Sequence, residues 1–217
     1  MFLFLPYKVD VKSKRKPFAN YLVMIAIVAV FVLQKIYPEE RADPFVLAGW
    51  SARGLLGYMW LHVGYLHVIG NLVFLWVFGN AVCSKMGNVL YLPVYIAVGL
   101  LAAVVHLTFD VRMAVGASGA VYGIFGAYFV LFPYNSIKCF FWFLAYVRWF
   151  SIAGFWIILL RVALDVVGAI SGYTAGAAYF AHIGGFVGGV MLAIILVASK
   201  LVTRDSMDDA IVRSIKA

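Results

Sequence analysis

The sequence predicts an all-α membrane protein, a bundle of six spanning helices, and three observations carry that prediction. The 217-residue chain is 65% hydrophobic and only 12% charged, where an average soluble domain is about 25% charged. Its charges leave uninterrupted runs at 17–34, 54–84, 86–109, 113–137 and 166–199. Each run can hold a helix of about 20 residues, the length that crosses the hydrocarbon core of a bilayer. Cations crowd the flanks: Lys8, Lys12, Lys14, Arg15 and Lys16 precede the first run, and Lys200, Arg204, Arg213 and Lys216 follow the last. The chain therefore divides into a basic N-terminal segment (1–18), a membrane domain (19–202) and a C-terminal tail (203–217), with no soluble domain expected.

The first helix covers 19–37. A signal peptide is the competing reading, but the apolar run is long and Lys35-Ile36-Tyr37-Pro38-Glu39-Glu40 offers no small-residue cleavage site. The loop over 38–63 is rich in Gly, Trp and Tyr, which suits the membrane interface. Further helices follow at 64–82, 89–109, 118–132, 151–168 and 178–200. The segment 138–148 reads Lys-Cys-Phe-Phe-Trp-Phe-Leu-Ala-Tyr-Val-Arg. It is too short to cross and is placed at the cytoplasmic interface.

Six crossings put both termini on one side. Twelve cations then fall on that side, Lys85, Lys138 and Arg148 among them, against Lys35, Arg41, Arg53 and Arg112 on the other. The excess makes the termini cytoplasmic. The same distribution explains the formal charge of +8 without a basic patch and so excludes nucleic acid as a partner. Cys83 and Cys139 read as small apolar thiols kept reduced. The N-terminus does not look like a transit peptide, which points to a bacterial or archaeal cell membrane.

Polar residues inside such runs are costly and mark function. Ser118, in Gly116-Ala117-Ser118-Gly119, opens the fourth helix, and His182 lies about one turn into the sixth. His67 and Asn71 occupy the first turns of the second. All three helices run inward, so these four residues share the outer half of the membrane. A serine and a histidine at one depth suggest nucleophilic hydrolysis. His67 and Asn71, spaced i, i+4, share a face and can donate to an oxyanion. The backbone N–H at Ser118 is unpaired at a helix start. Tyr122, one turn below Ser118, can pack against His182. Gly119, Gly123 and Gly126 form one small-residue stripe and Gly185 and Gly189 another, which allows close helix packing.

Other chemistries find no support. The chain has no H-E-x-x-H, and His62 and His67 are five apart, which spoils a metal site on one helical face. Paired-carboxylate catalysis needs two acids in facing spans, and Asp165 stands alone. Arg161 and Asp165, four apart on the fifth helix, are expected to neutralise each other. A transport or proton-relay role for that pair is the alternative. His106 reads as a satisfied or interfacial histidine.

In order and spacing, His62-Val-Gly-Tyr-Leu-His67-Val-Ile-Gly-Asn71, Phe78-Gly79, Gly116-Ala-Ser118-Gly-Ala-Val-Tyr122-Gly and Ala181-His182-Ile-Gly-Gly185-Phe-Val-Gly-Gly189 resemble the rhomboid intramembrane serine proteases, over about 55–196. The resemblance implies a Ser–His dyad with Ser118 as nucleophile and His182 as general base. It also implies an oxyanion hole from His67, Asn71 and the Ser118 N–H, and a structural or water-access role for His62. Substrates would be single-span membrane proteins cut near the outer face, with small residues at the cut, and no cofactor. Two positions depart from the family pattern. Arg53-Gly54 stands where a Trp-Arg pair is common, so the outer loop is expected to be held differently. Cys83 stands where an acid is common, so a cytoplasmic-end hydrogen bond is expected to be lost. The rival readings are a catalytically silent rhomboid-like protein that binds membrane helices and a small transporter.

Overall fold

The computed structural model describes residues 2–9, 11, 15–37, 42–110, 112–144, 146–172 and 178–204. Long apolar segments without water must satisfy their backbone groups internally, and helices do so within one segment. The described helices are α1 (Phe18–Ile36), the short α2 (Ala52–Gly57), α3 (Tyr65–Met86), α4 (Asn88–Phe109), α5 (Ser118–Leu131), α6 (Gly154–Ser171) and α7 (Tyr179–Ala198). Among the described residues, α1, α3, α4, α6 and α7 are long and apolar enough to cross a membrane. The remaining apolar helix, α5, has 14 residues, about 21 Å of rise against a hydrocarbon core of about 30 Å.

The shortness of α5 has a physical reason. Every residue from Gly119 to Tyr128 is buried, and the helix packs chiefly against α7 and α4. A helix sheathed by protein need not match the thickness of the lipid.

The all-α expectation is overturned at one end of the bundle. Strands β1 (Phe2–Val9), β2 (Ser136–Phe143) and β3 (Tyr146–Ala153) form an antiparallel sheet in the order β1-β2-β3. The segment 138–148, expected only to be too short to cross, belongs to the β2–β3 hairpin, and the N-terminal segment contributes the third strand. Aromatic and β-branched residues fill β2 and β3 and favour the pleated form. The buried Ile137 and Cys139 alternate with Ser136 and Lys138, the period-two pattern of a half-buried strand.

The departure at Cys83 does not leave its end untied. Cys83 Sγ donates to Asn88 Oδ1 at 3.4 Å, and that oxygen also accepts the backbone N–H of Ala19 at 2.9 Å. Nearby, the wholly buried Asn20 of α1 donates to Leu75 O at 2.9 Å and to Asn80 Oδ1 at 2.8 Å, and it accepts from Tyr91 Oη at 2.7 Å. Leu75 opens a π-helical turn in α3 that runs to Gly79. Asn20 therefore joins α1, α3 and α4.

The outer loop also has its own fastenings. Ser51 Oγ caps α2 by accepting from Gly54 N at 3.0 Å. Leu47 pairs with Ala114, and Gly116 N donates to Tyr58 O at 2.9 Å. These bonds fix the turn that precedes α5.

Candidate active site

Three helix N-termini meet at the end of the bundle opposite the sheet. Gly116 has φ +126°, a conformation that side chains rarely allow, and a Cβ there would fall 2.6 Å from His67 Cε1. The turn so formed delivers Ser118 as the first residue of α5. His182 is the fourth residue of α7 and buried. Ser118 Oγ donates to His182 Nε2 at 2.8 Å.

Backbone contact sets that distance. A Cβ on Gly185 or Gly189 would collide with the carbonyl oxygens of Gly119 and Gly123 respectively, so α7 rests on the main chain of α5. The glycine stripe of α5 is split between two neighbours, not turned to one. Gly119 faces Ala102 of α4 and Tyr58 Oη, with Ala181 of α7 at 3.7 Å, Gly123 faces Val98 of α4, and Gly126 turns its bare side to α7, at Phe186 and Val190.

Ring stacking and hydrogen bonds order the rest of the site. The Tyr122 ring stacks on His182, with centroids 4.3 Å apart and planes 4° from parallel. Asn71 Nδ2 donates to His62 Nε2 at 2.9 Å, and Ala117 N donates to the same nitrogen at 3.4 Å. His62 Nδ1 in turn donates to Trp60 O at 3.3 Å. Burial, and then the neighbouring His67, push the pKa of His62 down to about 4, with the Trp60 carbonyl opposing. His62 is therefore a neutral acceptor that ties the amide of Asn71 to the turn before Ser118. His67 stands against it, ring centroids 5.1 Å apart.

These groups line a cavity of about 720 Å³ that includes His67, Asn71, Ser118, Tyr122, Arg161 and His182. Across it, Arg112 Nη2 contacts Asp110 Oδ2 at 2.6 Å and holds that carboxyl below the usual carboxylate range. His106 is buried and donates through Nε2 to Arg112 O at 2.8 Å. Cys83 and Cys139 are buried free thiols.

The expected Arg161–Asp165 pair is not made. The exposed Arg161 guanidinium lies 5.9 Å from the Phe74 ring centroid and 6.0 Å from that of Tyr122. Asp165 is buried and accepts at Oδ1 from His182 Nδ1 at 3.0 Å. The i, i+4 spacing showed that both residues can share a face, and the nearer partner came from another helix. For the anchoring by His62 the sequence holds no local signal, and only the family resemblance implied a structural or water-access role for that residue.

The Rhomboid domain family matches this chain over residues 49–199. The Rhomboid protease GluP of Bacillus subtilis is 30% identical over 122 residues, which is 52% of this chain and 24% of that protein. The Rhomboid protease GlpG of Enterobacter sp. is 26% identical over 129 residues, covering 56% and 46%. RHOMBOID-like protein 7 of Arabidopsis thaliana is 29% identical over 143 residues, covering 65% and 42%. The chain spans less than half the length of each of these curated relatives.

Proposed function

The chain belongs to the rhomboid family, and from that premise we propose that it is an intramembrane serine endopeptidase cutting single-span membrane proteins near the outer face of the bilayer. The observation that supports this reading above all is the 2.8 Å bond from Ser118 Oγ to His182 Nε2 beside the cavity. In the proposed topology α5 also crosses, as the fourth of six spans in chain order, enclosed by the others, and both termini are cytoplasmic.

In the first half-reaction His182 Nε2 takes the Ser118 proton as Oγ adds to the scissile carbonyl carbon. The oxyanion faces the Ser118 N–H, the remaining hydrogen of the Asn71 amide and the His67 ring. The imidazolium then gives its proton to the leaving amine as the C–N bond breaks, leaving an acyl group on Ser118. In the second half-reaction His182 takes a proton from water, the hydroxide adds to the acyl carbon, and the proton returns to Ser118 Oγ as the product acid departs. No cofactor enters this cycle. A substrate helix must open before its carbonyl reaches Ser118, because an intact helix shields its own peptide bonds.

The test is cleavage of a single-span reporter in proteoliposomes by wild type, Ser118→Ala, His182→Ala and the double variant. Each single change is expected to abolish cleavage, and the double variant to be no worse, since residues acting as a unit are non-additive. Labelling of Ser118 by a fluorophosphonate separates a protease from a silent helix-binding relative. Full activity in folded Ser118→Ala overturns the proposal.

A further inference from the structure

We propose that Asp165 of α6 is a positioning residue for His182, so that this chain works with a Ser118–His182–Asp165 relay where the family resemblance implies only a dyad. The inference rests on the protease reading above. Its geometry is a continuous chain of hydrogen bonds: Ser118 Oγ to His182 Nε2 at 2.8 Å, and His182 Nδ1 to Asp165 Oδ1 at 3.0 Å. Both the carboxylate and the imidazole are buried. Among the described residues Asp165 Oδ2 has no hydrogen-bond partner, while Oδ1 is bonded by the imidazole.

The arrangement does two things. A carboxylate accepts and cannot donate, so the neutral ring must carry its proton on Nδ1. That leaves Nε2 bare and aimed at the Ser118 hydroxyl, the tautomer a general base requires. When Nε2 takes the serine proton, the positive charge forms 3.0 Å from a buried anion, where low dielectric strengthens the attraction. The face of the ring is held by Tyr122, so Asp165 fixes rotation in the plane that stacking leaves free.

The other ionisable groups around the ring are Arg161 on α6, Tyr122 on α5, His67 on α3, and His106, Asp110 and Arg112 across the cavity. None of them bonds a nitrogen of His182. Arg161 would oppose a positive ring, and its guanidinium rests on the Phe74 and Tyr122 rings.

Two measurements test the assignment. The first compares fluorophosphonate labelling and reporter cleavage against pH in wild type and Asp165→Asn, with thermal melting as the control for folding. The amide is nearly isosteric and can donate to Nδ1, which favours the wrong tautomer. Both rates are expected to fall by about 10²–10⁴-fold at neutral pH, and the acid limb of the rate profile to move to lower pH. A purely structural role would lower the melt and leave the limb where it was. Unchanged rate and profile in a folded Asp165→Asn overturn the inference and leave the protease reading intact. Wild type that neither labels nor cleaves overturns both.

The second measurement reads wild type and needs no activity from any variant. Histidine ¹⁵N shifts of wild type at neutral pH, with His182 identified by its loss in His182→Gln, are expected to show Nδ1 protonated and Nε2 bare. An Nε2–H tautomer refutes the relay.

Discussion

Replacing Gly185 with alanine adds a single methyl group at the point where two helices touch by backbone alone. The new Cβ would land on the Gly119 carbonyl oxygen, with Gly123 N 3.3 Å away. Both atoms belong to the main chain of α5, so no side chain can rotate out of the way. Relief requires α7 to retreat from α5 by about 1 Å or more, the distance needed to restore an ordinary van der Waals contact. His182 lies one turn earlier on the same helix and retreats with it. A 2.8 Å bond to Ser118 then opens toward about 4 Å, beyond hydrogen-bond reach. Displacements of about 1 Å cost roughly 10²-fold in rate, and overpacking costs about 1–3 kcal/mol in stability. The assay is initial cleavage rate of a single-span reporter together with thermal melting in detergent. Gly188→Ala is the comparison, because it lies on the same helix and turns the other way. Its methyl would meet Leu101 Cδ1 at 2.8 Å and Leu101 Cβ at 3.2 Å; the tip of that 40% exposed side chain can swing aside, and the Cβ contact needs a shift of only a few tenths of an ångström. Gly185→Ala should therefore lose about 10²-fold in rate and melt several degrees lower, while Gly188→Ala stays within a few-fold of wild type. Equal damage by the two, or a wild-type rate and melt in Gly185→Ala, would refute backbone contact as the determinant of the Ser118–His182 distance.

Asn71→Ala and His67→Ala should each slow turnover by about 10²–10³-fold, the usual loss for one oxyanion donor; His67→Ala should melt near wild type, while Asn71→Ala, which also loses its bond to the buried His62, should melt lower. Wild-type rates in both folded variants would assign the pair another purpose. His62 predicts a stability effect with a definite sign. Its pKa of about 4 in the fold lies below the unfolded value of about 6.5, so the unfolded chain binds more protons between those limits. The contribution of His62 is present above about pH 6.5 and lost as pH falls toward 4. The melting temperature of wild type should drop across that window. His62→Gln, whose amide oxygen can still accept from Asn71, should drop less, and parallel curves for the two would exclude His62 as the source.

The residues proposed to carry chemistry were legible because a bilayer is an unforgiving solvent. Charge-free runs have to be helices, their order fixes which ends share a depth, and Ser118, His182, His67 and Asn71 fall at one level by that argument alone. The family is legible in the same motifs, since their spacing follows from helices that must bring fixed side chains to one depth. Orientation about each helix axis was not. Gly123 shares a stripe with Gly126 in the sequence, yet its bare side faces Val98 on α4, which only the three-helix packing of α4, α5 and α7 decides. Asp165 could face Arg161 by helical spacing or His182 by tertiary contact, and the choice depends on where α6 sits against α7. The sheet was hidden for a related reason. Phe2–Val9 lacks clean alternation and carries Pro6, and its partner strand begins more than a hundred residues later, at Ser136. Local pattern reports what a segment must do with its own backbone and its own solvent. Which neighbour satisfies a polar atom is a property of the assembled structure, because hydrogen bonds and close contacts act over a few ångströms in space and are blind to distance along the chain.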